Sequence, residues 1–220
     1  MIGAFAPDGR APRYFGVYPA LVTDLVDPDS LGRIEVKFPW LGEDGEDVRA
    51  WSTLLTPYAD DDQGFEVLPE VDTQVVVAFE AGDLRRPYIV GCCWNGRESL
   101  PESALAANNK RLIKTRSGSL LEFDDTAGAA QVTLSMKSGH KLVMSDSSQD
   151  IKITHANGCI ITFTASGQIN MQANSTVEIT AAAVNVHAGM AKFDGVVKCE
   201  TLITNSVISP SYTPGAGNVW

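Results

Sequence analysis

Apolar and polar residues alternate in short runs along the first hundred positions. YPALVTDLVD (18–27), RIEVKFPWL (33–41) and WSTLLTPYA (51–59) show the pattern, and so do Val75–Glu80 and Tyr88–Trp94. A period of two predicts half-buried β-strands. Asp27, Pro28 and Gly32 supply turn chemistry between the first two runs, an acidic loop GEDGEDVRA (42–50) precedes the third, and AGDLRRP (81–87) joins the last two. Five short strands without a helical crossover fit a small Greek-key barrel of the OB type over residues 16–96. Residues 1–15 scatter Gly, Pro and Arg among the isolated aromatics Phe5, Tyr14 and Phe15, and read as an extended arm laid on a partner. Residues 97–110 lose the alternation and read as a linker with at most one helical turn.

From residue 111 the chain repeats itself. Gly118, Gly139 and Gly158 each have an apolar residue three positions on (Leu121, Leu142, Ile161), five positions on (Phe123, Met144, Phe163) and five positions before (Ile113, Leu134, Ile153). A shorter copy follows Gly167, with Ile169 and Met171. Each unit reads as strand, Gly turn, strand, at spacings of 21, 19 and 9 residues. VEI, VNV and VVKCETLI continue in short runs, so a β-solenoid is expected over 111–208, ending in a Pro/Gly-rich segment at 209–220.

A lone ribbon with a thin apolar stripe encloses no core, yet ordering about 90 residues costs on the order of 100 kcal/mol in backbone entropy. Three copies wound about one axis would bury every stripe and pair every strand with a neighbouring chain. The fold class expected is therefore all-β: an N-terminal OB barrel followed by an intertwined triple-stranded β-helix formed as a homotrimer. Its core is assigned to Ile113, Leu121, Phe123, Leu134, Leu142, Met144, Ile153, Ile161, Phe163, Ile169 and Met171.

Charge sets the choice of partner. Residues 1–107 hold 8 Lys and Arg against 19 Asp and Glu, whereas 108–220 hold 9 against 8. An acidic front half repels phosphate backbones and anionic lipid, so the partner expected there is a protein and not a nucleic acid. Cys92, Cys93, Cys159 and Cys199 have neither disulfide-framework nor metal-knuckle spacing and read as buried thiols in a reducing compartment. With no signal peptide and no membrane span in the sequence, assembly in the cytoplasm is expected.

GRIEVKFPW (32–40), WSTLLTPYA (51–59), the long run from Gly64 to Gly96, NNKRLIKTRSGSLLEFDDTAG (108–128) and the tail from Val196 together resemble the phage baseplate assembly protein V family. That family is similar to the spike modules of type VI secretion and of extracellular contractile injection systems. The resemblance implies a trimeric barrel beneath a baseplate hub and a needle pointing at the target cell, whose membrane it contacts transiently. The sequence departs from type VI spikes, which usually carry a hub region ahead of the barrel, and from phage spikes with a lysozyme between barrel and needle, so hub and any wall-degrading enzyme are expected to be separate proteins. A trimeric receptor-binding fibre and a tail-associated cell-wall hydrolase are the rival readings.

Candidate chemistry is sparse. Some phage spikes of this family close their tips with His-x-His pairs around iron; here the nearest sequence has only His187, and no metal or other cofactor is expected. The carboxylates Asp60, Asp61 and Asp62, and Glu122, Asp124 and Asp125, read as solvated loop charges and not as a hydrolase pair. Trp40, Trp51 and Tyr58 are the aromatics available for base stacking, and read instead as core or hub contacts. Tyr212 and Trp220 are assigned to the tip, capping the axis or seating a separate conical protein of the PAAR type.

Overall fold

The computed structural model describes residues 12–42 and 46–210. Five strands close a barrel: β1 (Val17–Asp24), β2 (Ile34–Lys37), β3 (Arg49–Leu54), β6 (Gln74–Phe79) and β7 (Pro87–Cys92), in the order β1-β2-β3-β7-β6 and back to β1. Only β3 and β7 pair in parallel. This is OB topology, with the short hairpin β4 (Ala59–Asp60) and β5 (Gln63–Gly64) between the third and fourth barrel strands. Alternation fills the interior: Ala20 and Val22, Ile34 and Val36, Val75, Val77 and Phe79, and Ile89 all turn inward with Phe38 and are buried. Register shifts between Val22 and Asp24 and between Val76 and Val77 bend β1 and the β6–β7 pair, as closure of so few strands requires.

The described end of the N-terminal arm lies on this barrel. Tyr14 donates its N–H to the Gly82 carbonyl (3.0 Å), and Arg13 Nη1 donates to the Ala81 carbonyl (2.7 Å). Gly82, at φ +77°, leaves room for it, since a Cβ there would stand 3.1 Å from Tyr14 N. Tyr14 then joins Tyr18, Trp40, Phe38 and Phe79 in one aromatic cluster closing that mouth of the barrel; the Tyr18 and Trp40 rings stack at 4.7 Å.

Beyond the linker, which contains no helical turn, seven strands form an antiparallel meander: β8 (Lys110–Lys114), β9 (Leu120–Asp124), β10 (Gln131–Ser135), β11 (Lys141–Ser145), β12 (Asp150–Thr154), β13 (Ile160–Phe163) and β14 (Ile169–Gln172). This corrects one expectation: these strands pair with their neighbours in the same chain, not with sister copies. The glycines explain it. Gly118, Gly139, Gly158 and Gly167 all have positive φ (+79° to +98°), ending three-residue turns in which, for example, Met136 N–H donates to the His140 carbonyl at 2.9 Å. Such turns reverse the chain at once and close a local hairpin. Over 173–208, VEI, VNV and VVKCETLI form no strand within the chain. A ladder needs a partner, and none of the chain's described residues supplies it.

Candidate functional site

Register brings the eleven assigned residues of the shaft onto one face of the seven-stranded sheet. Ile113, Leu121, Leu134, Leu142, Ile153, Ile161 and Met171 are consecutive cross-strand partners from β8 to β14. Two positions along each strand runs a parallel row: Arg111, Phe123, Val132, Met144, Ile151, Phe163 and Ile169. Thirteen of these fourteen side chains are apolar. Val132 and Ile151 were missed by the repeat analysis, although they lie at period two from Leu134 and Ile153 and so carried a readable signal.

The face is uncovered in a single chain. Ile113 is 51% exposed, Leu134 50% and Ile169 64%, whereas Leu121, Leu142 and Ile161 are half-buried by their neighbours alone. The opposite face is mixed along its centre, where Leu112, Glu122, Thr133, Val143, Lys152, Thr162 and Asn170 stand in one row, five polar residues and two apolar. One apolar and one mainly polar face on a sheet is the pattern of a wall with an inside and an outside. A contiguous apolar field of this kind marks an interaction surface.

The candidate chemical residues lie elsewhere and are not brought together. Asp60 and Asp62 are exposed around the β4–β5 turn. Glu122 pairs with Lys110 (3.6 Å), and Asp125 with Arg111 (3.2 Å). Asp124 accepts from Thr126 Oγ1 (2.5 Å), which lowers its pKa, the opposite of what a general acid requires. Trp40 is locked in the aromatic cluster, its Nε1 donating to the Pro19 carbonyl (2.8 Å). Trp51 lies under the Arg33 guanidinium at 5.8 Å, and Tyr58 donates to Gln63 Oε1 (2.9 Å). His187 is exposed, and among the described residues no group of three or more His, Cys, Asp or Glu is placed to hold a metal. Tyr212 and Trp220 fall outside the described residues. The thiols are not buried as expected: Cys92 and Cys199 are exposed, and Cys93 and Cys159 half-buried. Cys92 ends β7, where the barrel wall gives out.

The most heavily bonded charge is structural. Asp27, its side chain 3% exposed, accepts from Arg33 Nε and Nη2 (both 2.8 Å) and from the N–H groups of Asp29, Leu31 and Arg33. Chiefly the guanidinium, and with it those N–H groups, holds its carboxyl well below the usual range. A depressed carboxylate pKa gives stability that is complete above the unfolded value, near 4, and is lost as pH falls through the lower folded one. The difference in barrel melting temperature between the protein and Asp27→Asn is therefore expected to be largest at neutral pH and to shrink steadily below about pH 4. A difference independent of pH would show that the bonds around Asp27, and not its charge, hold the β1–β2 turn.

The fold defines a class: an OB barrel followed by a seven-stranded antiparallel sheet with one apolar face, with no constellation of catalytic groups among the described residues. Residues 18–94, which take in nearly the whole barrel, match the type VI secretion system/phage-baseplate injector OB domain, and this segment belongs to that baseplate and spike family. The chain is similar to the type VI secretion system spike protein VgrG3 of Vibrio cholerae, 27% identical over 113 residues, which is 48% of this chain and 11% of that protein. It is similar also to spike protein VgrG5 of Pseudomonas aeruginosa (27% over 112 residues, 48% and 14%). A third relative is the actin cross-linking toxin VgrG1 of Vibrio cholerae (26% over 132 residues, 56% and 12%). The matched region thus spans 11% to 14% of the length of these three relatives.

Proposed function

We propose that this chain is a non-enzymatic, homotrimeric spike at the centre of the baseplate of a contractile phage tail or related injection machine, joining the hub to a tip protein. The observation that carries the reading is the thirteen-residue apolar face on a shaft that follows an injector-type barrel. Three such sheets, apolar faces inward, make a closed three-walled prism whose core none of the chains possesses alone. Residues 173–208 extend it: Val177, Ile179, Val184, Val186 and Ile203 are 53% to 94% exposed and without strand partners among the described residues, so their ladders form between copies as a triple-stranded helix. The shaft then crosses the target membrane by force applied from behind, which asks rigidity of it and no chemistry.

Light scattering on the isolated protein tests the assembly, with a trimer expected and a single-chain mass overturning it. Peptidoglycan zymography tests the absence of hydrolysis, with no clearing expected. In the parent particle, deletion of residues 110–208 is expected to leave the baseplate built and abolish puncture of target cells. Loss of target-cell adsorption instead would favour the receptor-binding fibre.

A further inference from the structure

We infer that the seam between copies joins the two lateral edges of the shaft sheet, a basic edge to an acidic one, with Lys137 of one copy against Asp146 of the next. The inference rests on the trimeric reading above and specifies its contacts.

The meander places its connections alternately on two edges. One edge carries the turns 115–119, 136–140 and 155–159, whose ionisable side chains other than Cys159 are Arg116, Lys137, His140 and His155; there is no Asp or Glu among them. The other carries the connections 125–130, 146–149 and 164–168, whose charged side chains are Asp125 and Asp146, with Asp124, Asp150 and Lys110 at the adjoining strand ends, Lys110 being paired with Glu102 and Glu122 of its own chain. No Lys, Arg or His occurs in those three connections. The shaft is near neutral as a whole, so the separation is invisible in its net charge.

Several of these charges are already used within the chain. Arg116 Nη1 meets Glu70 of the barrel at 2.8 Å, Arg111 meets Asp125 at 3.2 Å, and Asp150 accepts from the Ala165 N–H at 3.4 Å. Lys137 and Asp146 are exposed and in no ion pair among the described residues. They also cap opposite ends of the same two strands. Lys137 lies in the turn joining β10 to β11, and the Asp146 N–H donates to the Ala130 carbonyl (2.9 Å), one rung beyond the Gln131 and Ser145 pair.

Symmetry supplies the remaining step. In a ring of three, every interface is heterologous, so one edge of each wall meets the opposite edge of the next and never its own kind. Rotation without translation keeps height along the axis, with the ladder running along that axis. The two ends of β10 and β11 therefore come together from different copies, and Lys137 reaches Asp146 with His140 beside it. An exposed pair of this kind adds little stability by itself; its contribution is register and the exclusion of like-edge contacts, which set lysine against lysine.

The test uses the full chain with Cys92, Cys93, Cys159 and Cys199 changed to Ser, its mass first measured by light scattering. If this protein is a single chain, as the parent also would be, the trimeric reading falls. If it is a trimer, Lys137→Cys combined with Asp146→Cys is expected to convert most chains under mild oxidation into a covalent trimer on a non-reducing gel, reversed by reductant. Each cysteine alone is expected to give single chains. A trimer that does not cross-link in the double variant, or that yields covalent dimers from Lys137→Cys alone, overturns the seam while leaving the trimer standing. As a second measurement, Lys137→Glu and Asp146→Lys are each expected to lower the melting temperature of the trimer, and the two together to restore it; failure of the pair to restore it counts against the seam.

Discussion

Leu142→Asp, or Ile161→Asp, is expected to leave the protein as single chains whose barrel is still folded. Both residues stand in the inner row of the sheet, flanked across the strands by Leu134 and Ile153, and by Ile153 and Met171. In the proposed prism, one substitution would bury three like charges near a common axis. An uncompensated buried charge costs on the order of 3–5 kcal/mol, and here the cost recurs in each copy and is raised by mutual repulsion. Half-exposed in the lone chain, the same aspartate costs little, so the penalty falls on association. Light scattering reads the mass and circular dichroism the barrel. A variant that remains trimeric with unchanged melting would place this face on the outside.

Phe38→Ala acts on the other half of the molecule. Phe38 is 1% exposed, and its ring lies 5.5 Å from Phe79 and 5.9 Å from Trp40, so truncation opens a cavity where the barrel core meets its aromatic plug. Loss of about 3–5 kcal/mol is expected, enough to bring barrel unfolding well below that of the shaft in a thermal melt. Below that transition the mass should remain that of a trimer, because the inward face of the shaft does not involve Phe38. Simultaneous loss of barrel signal and trimer mass would show that the two halves unfold as one cooperative unit.

The barrel was legible in the sequence because a closed core forces its strands to alternate, and turn residues punctuate the alternation. Ile34, Val36 and Phe38 announce an inward row without any knowledge of their partners. The shaft was legible to the same depth: period two assigns a residue to a face, and the eleven apolar residues do share one. What periodicity does not encode is which strand lies alongside. A hairpin closed by Gly139 and an intertwined strand paired with a sister copy have the same alternation, and only the three-residue turns distinguish them. The place of Tyr14 on the barrel was not readable for a different reason, since a single aromatic between Arg13 and Phe15 belongs to no period and its position is fixed by Gly82, far along the chain. The exposed thiols mark the limit of composition as a guide: Cys92 and Cys199 have an apolar residue's preference for the interior, and each stands where one chain has little interior left to offer.

The direction of the ladder in the shaft has a mechanical consequence. Seven strands at a spacing of about 4.8 Å stack into a column roughly 29 Å tall, whose height is measured across hydrogen bonds and not along covalent backbone. Compression presses each rung onto the next and loads all bonds of a strand together. Tension applied between residues 110 and 172 instead loads one rung at a time, so the column peels hairpin by hairpin from its weakest end. Such a rod withstands thrust far better than withdrawal, and an implement driven in once has no need to survive being drawn back.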